Sequence, residues 1–153
     1  MVTAQPRPGA AGQDSLVDVL VQTAFVTMAL LSKLGAEHDL SLTQLRVLGI
    51  LRDRRLRMTA LADFLGLEKS TMSGLVDRAE RRGLLQRAVS ATDGRAVEVF
   101  LSPAGLEAAE RFRARVEQAL VPLTSTLAPA EQRRLQALLE RMLGAQAGPE
   151  LDG

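Results

Sequence analysis

Two short clusters of side chains in the middle of this 153-residue sequence have the types and spacing to grip a polyanion. The first is Lys69-Ser70-Thr71, continued at Ser73, Gly74, Asp77 and Arg78. Met72, Leu75, Val76 and Ala79 are interleaved with them at helical spacing. A helix over about 69–82 therefore buries the apolar set and turns the hydroxyls and cations outward. Short hydroxyls near a helix N-terminus let the backbone approach a groove, and the free N–H groups there attract phosphate oxygens. An ordinary amphipathic helix with a solvated outer face has the same pattern. The second cluster is Asp93-Gly94-Arg95, a turn dipeptide followed by a cation, set between two short apolar runs. A guanidinium at such a tip reaches away from the body and suits a narrow minor groove, where negative potential is enhanced. Asp93 either holds the tip or pairs with a nearby arginine such as Arg78, fixing it for a phosphate.

Charge agrees with that placement. The net charge is only +1, but residues 52–95 hold ten Lys and Arg against six Asp and Glu. The segments on either side are slightly acidic. The excess is confined to one block, as for an electrostatic footprint on phosphate.

Other chemistries are poorly supplied. There is no cysteine and one histidine, His38, which leaves no disulfide, no thiolate metal site and no plausible nucleophile–histidine arrangement. No glycine-rich phosphate loop is present. The sequence reads as a non-enzyme with no metal and no cofactor. No apolar run is expected to reach the roughly 20 residues that span a bilayer, and the first residues lack the order of a signal peptide. A reducing cytoplasm without membrane contact is the expected setting.

The elements that must position the two clusters follow from periodicity. Aromatics are 3% of the chain, with no Trp or Tyr, so Leu and Ala fill a core that favours helices. Residues 1–13 and 147–153 read as disordered tails. Leu16, Val19, Leu20, Thr23, Val26 and Leu30 mark a long first helix to about Leu34, with a break near Gly35. A second helix follows Ser41 or Thr43 as cap and runs into the basic stretch Arg52–Arg57. A short third helix near Thr59 stops at Gly66, before the helix described above. Runs 84–89 and 96–101 form a β-hairpin around the Asp-Gly turn. Ser102-Pro103 starts a fifth helix to about Ser125, with Pro122 expected to kink or fray its end. Pro129 opens a sixth, closed by Gly144. The fold class is mainly α with a small β-hairpin.

Four stretches in this order carry a resemblance. LTQLRVLGIL (Leu42–Leu51), RMTALADFLGLEKSTMSGLVDRAERRGLL (Arg57–Leu85), DGR (Asp93–Arg95) and VEVFLSPAG (Val97–Gly105) resemble the MarR (multiple antibiotic resistance regulator) family. The resemblance implies a winged helix-turn-helix at 41–102, flanked by dimerisation helices at 14–40 and 103–146. It implies a homodimer that binds a pseudo-palindromic operator in double-stranded DNA as a transcriptional regulator, most often a repressor released by a small molecule. It assigns DNA contact to Lys69, Ser70, Thr71, Ser73, Gly74 and Arg78 of the recognition helix and to Asp93 and Arg95 of the wing. Gly74 departs from the long basic or polar side chain many members carry there, and Ser90-Ala91 makes the wing plainer than usual. A small aromatic or anionic effector is the further expectation, with Met28, His38 and Arg46 as pocket residues. The competing reading is a winged-helix protein-interaction module with no DNA role.

Overall fold

The computed structural model describes residues 15–145, so the two expected tails lie outside the described residues. Helix α1 (Leu16–Ala36) opens with a reciprocal cap. Ser15 Oγ accepts the Asp18 N–H at 3.2 Å, and the Asp18 carboxylate accepts the Ser15 N–H at 3.0 Å. The helix runs past the break expected at Gly35, which serves packing instead. A Cβ there would stand 2.5 Å from the Leu40 carbonyl oxygen and 2.8 Å from Leu45 Cδ1. The reversal falls at Asp39, a non-glycine residue at φ +53°. Helix α2 (Leu42–Ile50) uses Ser41 as its cap, its Oγ accepting the Gln44 N–H at 3.2 Å.

No part of the basic stretch Arg52–Arg57 is helical. Its last two residues form strand β1 (Leu56–Arg57), antiparallel to β3, with Leu56 opposite Val99. A two-residue strand is too short to show a period, and burial of Leu56 against Val99 overrides the helical pattern. Helices α3 (Met58–Leu65) and α4 (Lys69–Arg81) follow, then β2 (Leu85–Val89) and β3 (Val97–Leu101). The sheet order is β1-β3-β2, and β2 pairs β3 from Leu85↔Leu101 to Val89↔Val97. Gly94 is not among the positive-φ residues. The tip closes through Ser90 N–H to the Ala96 carbonyl at 2.9 Å and Ala96 N–H to the Asp93 carbonyl at 3.0 Å.

One core serves this lobe. Val47 of α2, Leu61 of α3, Met72 and Val76 of α4, Leu85 of β2 and Val99 of β3 are all essentially inaccessible to solvent. Helix α5 (Pro103–Thr124) starts at the expected cap, Ser102, and continues through Pro122 before ending at Thr124. Its start is pressed against the chain after α4. A Cβ on Gly105 would lie within 2 Å of the Leu84 carbonyl oxygen. Gly105→Ala is therefore expected to cost about 1–3 kcal/mol or more by overpacking, seen as a lowered thermal midpoint. Helix α6 (Pro129–Gly144) buries no residue.

Helix α1 corrects one expectation. Its 21 residues are long and apolar enough, by length and composition, to cross a bilayer. Its apolar residues occupy more than one face, and Asp18 and Lys33 near its ends are the only charges within it. It packs on α2 and α5 along one side. Phe25, at 66% exposure, with Leu16, Val17 and Val26 is left uncovered.

Candidate nucleic-acid interface

The turn between α3 and α4 depends on Gly66, at φ +65°, a left-handed conformation that a Cβ would strain. Its N–H and that of Leu67 close onto the last turn of α3, and α4 leaves at an angle fixed by the buried pair Leu61 and Met72. The N-terminus of α4 has no side-chain cap, so its first N–H groups point outward without an internal partner. Lys69, Ser70, Thr71 and Arg78 are exposed, and Ser73, Gly74 and Asp77 are half-buried. These are the polar positions expected to face outward. A Cβ on Gly74 would meet only Arg78 Nη1, at 3.5 Å. That is ordinary van der Waals contact, so packing within the protomer does not require glycine at this position.

Between α4 and the hairpin runs a groove of about 620 Å³, bordered by Lys69 and Ser73 on one side and Asp93 and Arg95 on the other. Arg57 and Arg87 also line it. Neither is among the residues to which the resemblance assigns DNA contact. Asp93 does not pair with Arg78. Its Oδ1 accepts the Arg95 N–H at 3.0 Å, and its Oδ2 lies 3.6 Å from Arg57 Nη1. The pairing with Arg57 follows from β1, which carries Arg57 alongside the hairpin. Arg87 Nη2 donates to Asp77 at 2.6 Å and Glu80 at 2.7 Å, with Nε to Glu80 at 3.1 Å. Those bonds, from Glu80 first and Asp77 second, hold the guanidinium pKa above its ordinary value. Arg87 is thus a strut between sheet and α4, its charge matched. Lys69 and Arg95 are the groove cations with no ion-pair partner among the described residues. Alternation along β2 gives no sign of Arg87, since only Leu85 at the start of the strand is buried and Arg87 and Val89 are exposed.

The three residues expected to line an effector pocket are not gathered. His38 is exposed and borders a separate cavity of about 420 Å³ with Arg82, Phe112 and Arg115. Met28 is exposed on α1, and Arg46 places its guanidinium 5.5 Å from the Phe64 ring centroid. Neither lines that cavity.

Helix, left-handed glycine, helix and a closing hairpin with a third short strand define a winged helix-turn-helix. Residues 38–96, most of the winged helix-turn-helix, match the model of the MarR family. YfiV of Bacillus subtilis (strain 168), described as an uncharacterized HTH-type transcriptional regulator, is 31% identical over 103 residues. The match covers 67% of this chain and 62% of that protein, so the chain spans less than two thirds of this relative. The fold is similar to that of MepR of S. aureus in a DNA complex, at TM-score 0.68 and 23% identity, covering 87% of this chain and 99% of that one. It is also similar to NadR in complex with 4-hydroxyphenylacetate, at TM-score 0.74 and 21% identity, covering 94% and 100%.

Proposed function

We propose that this chain is a cytoplasmic transcriptional regulator that binds double-stranded DNA sequence-specifically as a homodimer. The observation that carries the reading is the groove between α4 and the wing. It sets the uncapped N-terminus of α4 with Lys69 opposite the guanidinium of Arg95. With α4 in a major groove, Ser70, Thr71, Ser73 and Arg78 meet base edges or phosphates, and Arg95 enters the adjacent minor groove. Asp93, tied to Arg57, orients the tip. The DNA bound by MepR in its complex supports the same use of the fold.

The dimer rests on uncovered apolar surface. Leu135, Leu138, Leu139, Met142 and Leu143 of α6 are exposed, together with the uncovered face of α1. A surface of this extent is characteristic of an interface. A two-fold dimer with its α4 helices about 34–36 Å apart would match a pseudo-palindromic operator. In this reading the apolar length of α1 belongs to a helical interface. Its capping box, its Asp18 and Lys33 and its packing on α2 and α5 all favour protein over bilayer. Repression relieved by a small molecule is the mode we infer, supported by NadR holding 4-hydroxyphenylacetate.

Arg95→Ala is expected to weaken duplex binding by about 1–3 kcal/mol with the dimer intact. The matching measurement is affinity against salt, where each lost phosphate contact flattens the log–log slope by about 0.9. Unchanged affinity in the variant removes the wing from the mechanism. A wild-type affinity indifferent to salt favours a protein-interaction module.

A further inference from the structure

We infer that Arg87, braced by Asp77 and Glu80, sets the span between α4 and the wing, so that Lys69 and Arg95 engage one duplex as the two ends of a rigid clamp. Arg87 acts as a positioning residue and not as a DNA contact. The inference rests on the regulator reading and names what holds its two reading elements in register.

The two reading ends stand beyond the packing that could fix them. Leu75, Val76 and Ala79 of α4 share one buried core with Leu85 of β2, and there helix and sheet are locked together. Towards the tip that packing stops. Val89 and Val97, the last pair of the β2–β3 ladder, are 66% and 39% exposed. Between Lys69 and Ser73 on one side and Asp93 and Arg95 on the other lies only the open groove. The tip is tied sideways to β1, through Asp93 and Arg57, and not to α4. Among the described residues, the side-chain hydrogen bonds that join α4 to the sheet are the three made by Arg87.

Their geometry suits a brace. Asp77 and Glu80 are three residues apart and so share one face of α4. From the middle of β2 the Arg87 guanidinium reaches both, at 2.6 Å and 2.7 Å. A planar fork held by two carboxylates fixes direction as well as distance, which a lysine ammonium does not. Ion pairs as exposed as these add little to global stability. Their effect is on the span, because no other bond crosses from helix to hairpin at that point. A span fixed before binding spares the ordering cost of a loose wing when Arg95 meets the duplex.

The brace separates from simple attraction by sign. Asp77 and Glu80 place two negative charges beside a groove built for a polyanion. By Coulomb attraction alone, neutralising them strengthens binding, since it also frees the Arg87 charge. With a brace, removing the acids loosens the wing as surely as removing Arg87 does.

The test uses the full chain and a duplex that the wild type enriches from a randomised pool. Affinity is measured at about 0.15 M salt, where charges more than about 8 Å apart are largely screened. Arg95→Ala is introduced into the wild type, into Arg87→Met and into the double variant Asp77→Asn with Glu80→Gln. These three positions lie outside the core cluster, and circular dichroism checks that each background is folded. In the wild type Arg95→Ala is expected to weaken binding roughly tenfold or more. In either unbraced background it is expected to cost less than about threefold, because a loose tip already contributes little. The two backgrounds are expected to agree, although one loses a cation and the other two anions. The acid double variant carries the test by itself if Arg87→Met does not fold. Two results overturn the proposal: an Arg95→Ala cost that is the same in every background, or a loss confined to Arg87→Met, which makes Arg87 a phosphate contact. Either of these leaves the regulator reading standing. A wild type that enriches no duplex overturns that reading and the brace together.

Discussion

Leu138→Asp is expected to leave each protomer folded, separate the dimer and lower duplex affinity by at least about 100-fold. The first part follows from burial. Leu138 is 42% exposed, and α6 buries no residue against its own chain, so a carboxylate there disturbs no protomer core. The second follows from desolvation. A carboxylate without a partner in an apolar interface costs about 3–5 kcal/mol, and two-fold symmetry places two of them there. The third follows from geometry, since a lone protomer presents one recognition helix and forfeits the second half-site. Sedimentation shows the oligomer, circular dichroism the fold, and a duplex titration the affinity. A variant that remains dimeric moves the interface elsewhere.

Met72→Ala is expected to cost about 2–5 kcal/mol of stability, a large part of the 5–15 kcal/mol typical of a domain. Met72 is fully buried on the inner face of α4, in one core cluster with Leu61 and Val76. It stands one residue from Thr71 and Ser73, yet it faces away from the groove. Denaturant unfolding should therefore show a large loss while affinity per folded dimer, measured well below the midpoint, stays near wild type. A variant of normal stability and poor affinity would place Met72 in the contact surface instead.

The long elements were legible because each carries its own period. Met72, Leu75, Val76 and Ala79 fix both the extent of α4 and its outward face, and Ser102-Pro103 marks the start of α5. What escaped is set by contacts distant in sequence. β1 is two residues long and exists because Val99, more than forty residues on, pairs with Leu56. That strand brings Arg57 to Asp93 in place of the anticipated Arg78. Arg82 reads as one more basic residue at a helix end, and nothing local announces that it spans 43 residues to Asp39. Gly35 looked like a helix stop but is a point of close packing. The apolar run of α1 was undervalued because Asp18, Thr23 and Lys33 interrupt it, although the helix as a whole is apolar.

Paired copies of α4 reading one duplex are tested most directly by the fragments of genomic DNA that the purified protein selects. The expected result is an enriched inverted repeat whose half-sites lie about 10–10.5 base pairs apart, centre to centre. Recovery of fragments with no shared sequence, or of a single half-site without its mate, would contradict it.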